Sequence, residues 1–281
     1  IGALYRPKSV QKAASPMSKI LVMTDLHLTE PPETIIGLDP GARLAEGLAH
    51  AARNHPDADR LILTGDLTHH GRAAQYARLA ELLTDLPWPV TPMIGNHDRR
   101  DVFRAAFPEM PVDADGHVQC VIDLPDIRLI CLDTVDEHAE VEHSGRLCPA
   151  RMAWLRAALD EAPDHGAIVF MHHPPVETGF TGMDIIGLSN QREIRDLLTG
   201  HPKLRHVLAG HVHRTIAASM AGVPVSLLKS TCHQMPMCLG EADHDLSVDE
   251  PAAYGILLVG AEDVILHSED YTLPARSARS T

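Results

Sequence analysis

Basic residues are in the minority: 24 Lys plus Arg stand against 38 Asp plus Glu, for a formal charge of −14. A surface of that sign repels phosphate backbones, which excludes a general nucleic-acid-binding role. Aromatic residues are scarce, at 4 Phe, 4 Tyr and 2 Trp. Long apolar runs are missing too. None approaches the ~18 residues a membrane helix needs, and residues 1–16 carry Arg6, Lys8 and Lys12 without the apolar core of a signal peptide. The 5 Cys are odd in number, and no two have C-x-x-C spacing. That excludes a zinc ribbon and a thioredoxin-type motif, and argues for a reducing, cytoplasmic setting rather than a disulfide scaffold. G-x-S-x-G and P-loop signatures are also absent, which removes nucleophile-elbow hydrolases and P-loop NTPases.

What is present is 44% apolar and 22% charged residues, an ordinary soluble globular balance, and 19 His. The chain begins without Met, and Met17 stands directly before the first strand-like run. Residues 1–16 are therefore read as an appended extension outside the fold, 17–272 as one domain, and 273–281 as a disordered tail.

Short β-branched runs alternate with helical patterns. Strands are predicted at 20–24, 61–64, 90–94, 118–124, 127–134, 167–171, 205–209, 223–228, 253–259 and 264–267. Helices are predicted at 39–54, 71–86, 149–162 and 190–198. The pair at 118–134, joined by Pro125-Asp126, reads as a hairpin. With no internal repeat and no linker, the pattern predicts an α/β fold of two packed sheets with helices outside.

Five of these strands end in Asp, Asn or His: Asp25-Leu26-His27, Gly65-Asp66, Gly95-Asn96-His97-Asp98, His172, and Gly210-His211-Val212-His213. Ligands bind at the carboxyl ends of strands in open α/β sheets, so five such clusters should converge. Imidazole and carboxylate donors suit Zn, Fe and Mn. Asp25 and His27, two apart on an extended chain, can reach one ion. His211 and His213 can serve one ion each, a carboxylate such as Asp66 can bridge two, and Asn96 offers a neutral oxygen.

The ordered series resembles the motif set of the calcineurin-like metallophosphoesterases over nearly the whole of residues 17–270. Phe170-Met171-His172-His173-Pro174-Pro175 and Thr231-Cys232-His233-Gln234-Met235-Pro236 resemble the class III cyclic-nucleotide phosphodiesterase and glycerophosphodiesterase branch. The resemblance implies a four-layer αββα sandwich of two mixed β-sheets. It implies two divalent metal ions (Fe, Mn or Zn), one on Asp25, His27, Asp66 and His213, the other on Asp66, Asn96, His172 and His211, with a bridging hydroxide that attacks phosphorus. His97 would bind the phosphate and stabilise or protonate the leaving oxygen, and Asp98, by adjacency, would orient His97. Asn96, His97, His173 and His233 are the expected substrate contacts, His173 either facing substrate or supporting the site from behind. His69 and His70 are read as polar loop residues, and His143 as one of ten His outside every block.

The expected activity is a dinuclear-metal phosphodiesterase of a small diester, either a 3′,5′-cyclic nucleotide such as cAMP or a glycerophosphodiester. A phosphonate monoester hydrolase and a phosphomonoesterase are the alternatives, the latter kept open by Arg99 and Arg100, with a non-catalytic scaffold further off. Homo-oligomers, dimeric or larger, are implied, with the hairpin near 118–134 as an interface. Neither a nucleic-acid polymer nor a membrane is an expected partner.

Overall fold

The computed structural model describes residues 17–273. The predicted extension at 1–16, and all but the first residue of the predicted tail at 273–281, lie outside them. In chain order the elements are β1 (Ser18–Met23), α1 (Pro40–Asn54), β2 (Arg60–Thr64), α2 (Ala73–Leu82), β3 (Val90–Met93), α3 (Arg100–Ala106), β4 (Cys120–Leu124), β5 (Ile127–Leu132) and α4 (Pro149–Asp160). They continue with β6 (Ala167–Met171), α5 (Thr181–Ile185), α6 (Gln191–Thr199), β7 (Leu204–Ala209), β8 (Ile216–Met220), β9 (Val223–Leu227), β10 (Tyr254–Val259) and β11 (Val264–Glu269).

Two sheets form, ordered β11-β10-β1-β2-β3 and β4-β5-β6-β7-β9-β8. The central strands of each are parallel (β1, β2, β3 and β5, β6, β7, β9), while β10, β11, β4 and β8 run antiparallel to their neighbours. Both sheets are therefore mixed. The layering follows from side-chain alternation. In β1, Ile20 and Val22 enter a core shared with Ile168 and Phe170 of β6 and Leu129 of β5, which lies between the sheets. Leu21 and Met23 point the other way, onto Leu44 and Leu48 of α1 and Tyr76 and Leu79 of α2. Val169 and Met171 of β6 likewise meet Leu155 and Leu159 of α4 and Ile194 and Leu198 of α6. Strands buried on both faces need continuous apolar runs. Helix, sheet, sheet and helix thus stack in four layers, as the sequence predicts.

Helix starts are chemically marked. Asp39 accepts from the amides of Gly41 (2.9 Å) and Ala42 (3.3 Å) at the head of α1, with Pro40 in the first turn. The helix predicted over 71–86 is shorter at both ends, because Gln75 caps the amides of His70 and Arg72 and the chain turns after Leu82, reaching a positive φ at Asp85. Three elements have no sequence prediction: α3, α5 and β8. The two helices are 7 and 5 residues long, too short for a periodicity to register. β8 is an edge strand of mostly small residues.

Candidate metal centre and active-site cleft

β1, β2 and β3 in one sheet and β6 and β7 in the other bring their carboxyl ends to one place. Met23, Thr64, Met93, Met171 and Ala209 end these strands, and the five predicted clusters follow directly. Asp25, His27, Asp66, His211 and His213 all have positive φ, between 46° and 73°. Asp and His tolerate this region better than most residues, but it costs of order 1 kcal/mol or more each. Hydrogen bonds hold the strained loops. The Asp25 carboxylate accepts from the Thr24 hydroxyl (2.9 Å) and the His211 amide (3.0 Å), tying one sheet to the other. Gly95 has to be glycine: a Cβ there would overlap the Asp66 carboxylate and its backbone amide.

The donor atoms fall into two sets. Asp25, His27, Asp66 and His213 are buried and place four ligand atoms within 4.8 Å of one another. His27 Nε2 lies 3.0 Å from His213 Nε2, His213 Nε2 3.5 Å from Asp25 Oδ1, and His27 Nε2 3.5 Å from Asp66 Oδ2. In the second set His172 Nε2 and His211 Nδ1 each lie 2.9 Å from Asn96 Oδ1, and His172 Nε2 lies 3.3 Å from Asp66 Oδ2. Asp66 Oδ2 therefore belongs to both.

The other ring nitrogen of His172, His213 and His27 is occupied in each case, which fixes the direction of the one facing the donor sets, while His211 Nε2 is buried without a partner. His172 Nδ1 donates to the Thr64 carbonyl (3.0 Å) and His213 Nδ1 to the His233 carbonyl (3.1 Å), while His27 Nδ1 pairs with His69 Nδ1 (3.2 Å). Such outer contacts hold ring orientation in metal sites. Burial drops His27 and His211 well below the ordinary imidazole range, helped by neighbouring rings. Burial also lowers His69 to about 4 and His233 to about 2. His172 goes the other way: burial opposes its charge, but Asp66 and Asp25 hold it at about 9. Burial alone would raise the Asp66 carboxyl, yet the charges of His172 and His97 pull it well below the usual carboxylate range. Imidazole nitrogens that approach one another, carboxylate oxygens and the Asn96 amide oxygen at 2.9–3.5 Å have too few protons to pair them all, and such donors make good metal ligands. The residues thus fit a dinuclear metal site.

The cleft above these donors has a volume of about 460 Å³. Asn96, His97 and His233 line it, with His69 and His143, which sequence reasoning placed outside the site. No spacing rule could have found His143, which arrives on the long connection between β5 and α4. Ile35, Ile36, Met183, Ile186, Met235 and Leu246 form an apolar wall opposite the polar floor, and no Lys or Arg is among the described lining residues.

Three expectations change. His173 does not line the cleft. It is fully buried, with Nδ1 paired to the Thr134 hydroxyl (2.8 Å) and Nε2 donating to the His143 carbonyl (3.0 Å), and burial holds it neutral at about 3. It packs behind the second donor set, its ring 4.9 Å from that of His172 and 4.7 Å from that of His211. Asp98 does not orient His97, whose Nδ1 donates to the His69 carbonyl (2.9 Å). Its carboxylate instead gathers the amides of Leu67, Thr68 and Gly95 and the hydroxyls of Thr68 and Tyr76, at 2.9–3.2 Å. It clamps the loop carrying Asp66 to the loop carrying Asn96, and burial beside Asp66 lifts it to about 6. Arg99 and Arg100 turn from the cleft, to Asp101 and to Asp133 and Glu137.

Asp98→Asn is expected to lose about 1–3 kcal/mol of stability in urea denaturation, because an amide N–H would face donors. Metal affinity should fall with it. A variant that kept stability and metal affinity yet lost turnover would return Asp98 to the His97-orienting role.

Residues 18–215 match the family described as calcineurin-like phosphoesterase. A protein of Rhodopseudomonas palustris named a probable cyclic nucleotide phosphodiesterase is 38% identical over 250 residues, spanning 89% of this chain and 91% of its own. A probable glycerophosphodiester phosphodiesterase of Arcobacter nitrofigilis is 32% identical over 68% of this chain and 70% of its own. In fold, a dimetal phosphatase from Danio rerio superposes with a TM-score of 0.65 at 14% identity, over 90% of this chain and 99% of its own. The chain belongs to the calcineurin-like phosphoesterase family. Its curated homologues are named as cyclic nucleotide and glycerophosphodiester phosphodiesterases of that family.

Proposed function

We propose that this chain hydrolyses small phosphodiesters, with a 3′,5′-cyclic nucleotide such as cAMP as the first substrate to test and a glycerophosphodiester as its nearest competitor. The observation that carries the reading is the pair of donor sets sharing Asp66 Oδ2 on the floor of a cleft with no Lys or Arg among its described lining residues. A diester carries one negative charge, which two cations can neutralise; a monoester dianion would call for further cationic side chains. The apolar wall offers a surface for a nucleobase.

Asp25, His27, Asp66 and His213 would hold one divalent ion, and Asp66, Asn96, His172 and His211 the other, with Fe, Mn or Zn as the candidates. Such a pair, when bound, supplies Lewis acidity toward phosphoryl oxygens and an activated water near neutral pH. The protein's own part is positional. His97, its Nδ1 held by the His69 carbonyl, turns Nε2 toward the cleft, where in the imidazolium form it can give a proton to the departing alkoxide. His233 stands at the edge of the first donor set, its ring 4.6 Å from that of His213, where a substrate would contact it.

The test is a turnover panel on protein stripped of metal and reloaded with Mn²⁺: cAMP, a glycerophosphocholine-type diester, a phosphonate monoester, bis(p-nitrophenyl) phosphate and p-nitrophenyl phosphate. The reading expects both diester classes to outrun the monoester, and cAMP to lead. Failure to bind transition metal tightly, with no diester hydrolysis, would overturn it. A preference for p-nitrophenyl phosphate would replace it with a phosphomonoesterase.

A further inference from the structure

Three imidazoles stand in a column along the cleft wall. The ring of His97 lies 5.2 Å from that of His69 at 15° and 4.8 Å from that of His143 at 17°, one on each face. The two outer rings are each bonded to a member of a different donor set. On one side His69 Nδ1 meets His27 Nδ1 at 3.2 Å. On the other, Asn96 Nδ2 donates to His143 Nδ1 at 3.1 Å.

The second contact has a specific chemical consequence. The two ends of a side-chain amide have the same shape, and only hydrogen bonds decide which faces where. The Asn96 oxygen is at 2.9 Å from both His172 and His211, so its amino group must find an acceptor elsewhere. His143 Nδ1 is that acceptor. Accepting there puts the ring proton on Nε2. The His143 backbone is held in place as well: its φ is +69°, its carbonyl accepts from His173 Nε2, and a Cβ at Gly145 would strike the His173 ring, so the segment packs directly over it. This accounts for a buried His173 that takes no part in the cleft. His69 acts in the same way on the first set. A His27 that ligates through Nε2 carries its proton on Nδ1, and His69 Nδ1 accepts it.

We propose that His69 and His143 are positioning residues, His143 setting the Asn96 amide and His69 the His27 ring, while their stacked rings hold His97 between them. The proposal rests on the metal assignment made above. It predicts a division of labour that a generic structural role would not produce.

Mn²⁺ titration calorimetry on the full chain tests it, with thermal melting without metal to confirm folding. His143→Ala should weaken one of two sites by about 10–100-fold, the range for loss of an outer contact to a ligand, and leave the other unchanged. His69→Ala should weaken the opposite site. His143→Asn, whose side-chain oxygen can take the place of Nδ1, should restore the affinity lost in His143→Ala without restoring the stack. Unchanged affinities in both alanine variants, or equal loss at both sites in each, would overturn the proposal. A wild-type chain that binds fewer than two Mn²⁺ would instead defeat the metal reading itself, so the two failures are distinguishable.

Discussion

Asp66→Ala is expected to cost both ions and to lower diester turnover by about 10³-fold or more, since the pair of cations carries activation of water and charge neutralisation together. No other side chain has the same reach. Its Oδ2 lies 3.5 Å from His27 Nε2 and 3.3 Å from His172 Nε2, joining the two donor sets. Its Oδ1 accepts from the His97 amide at 2.9 Å, which places the residue expected to serve the leaving group. Asp66→Asn separates these effects. It can keep the bond to His97 while forfeiting the negative charge that two cations would share. If charge sharing dominates, both variants lose metal to a similar degree in elemental analysis after dialysis against Mn²⁺. Two ions retained in Asp66→Ala, with wild-type turnover, would refute the bridging assignment.

His97→Ala is expected to reduce kcat by about 10²–10⁴-fold on an alkyl diester, the usual contribution of a placed general acid. The reduction should be far smaller on bis(p-nitrophenyl) phosphate, because p-nitrophenolate departs without a proton. That contrast separates proton delivery from damage to the metal site, which would slow both substrates alike. The geometry favours retention of metal. The His97 side chain belongs to neither four-residue donor set, and its ring is held by the His69 carbonyl and by stacking rather than by ligands. Equal losses on both substrates, with intact metal content, would leave His97 as a phosphate-binding residue only.

Much of the layered fold was legible because its central strands are buried on both faces. Runs such as Ile20–Met23 or Ala167–Met171 must then be apolar throughout, a pattern few other environments demand. The donor residues were legible for a related reason: polar residues placed directly after such strands have no use in the core, so their presence at five strand ends points to a ligand. Short or edge elements such as α3 and β8 escaped notice, since one buried Phe103 or a run of small residues leaves no periodic signal.

The corrected roles share one cause. Adjacency in sequence suggested that Asp98 serves His97, but in the turn after β3 the two side chains diverge, and Asp98 faces a loop some thirty residues earlier. His173 lies beside His172 and packs against its ring at 4.9 Å, yet both of its nitrogens are taken, by the Thr134 hydroxyl and the His143 carbonyl, which keeps it out of the cleft. His143 was invisible altogether. It sits about ten residues beyond β5 on an irregular connection whose path is set by packing over His173 and Gly145.

From the sequence alone came the alternation of strands and helices, the residue types offered at each strand end, and the chemistry those types can perform. Hydrophobic periodicity and donor identity are local properties, written residue by residue. Which carboxylate oxygen lies between the two donor sets, which ring nitrogen faces them, and which distant His meets the Asn96 amide were decided only by tertiary structure. These depend on the relative placement of chain segments more than a hundred residues apart, and on strained backbone at Asp25, His27, Asp66, His211 and His213 that only the assembled sheets can hold in place.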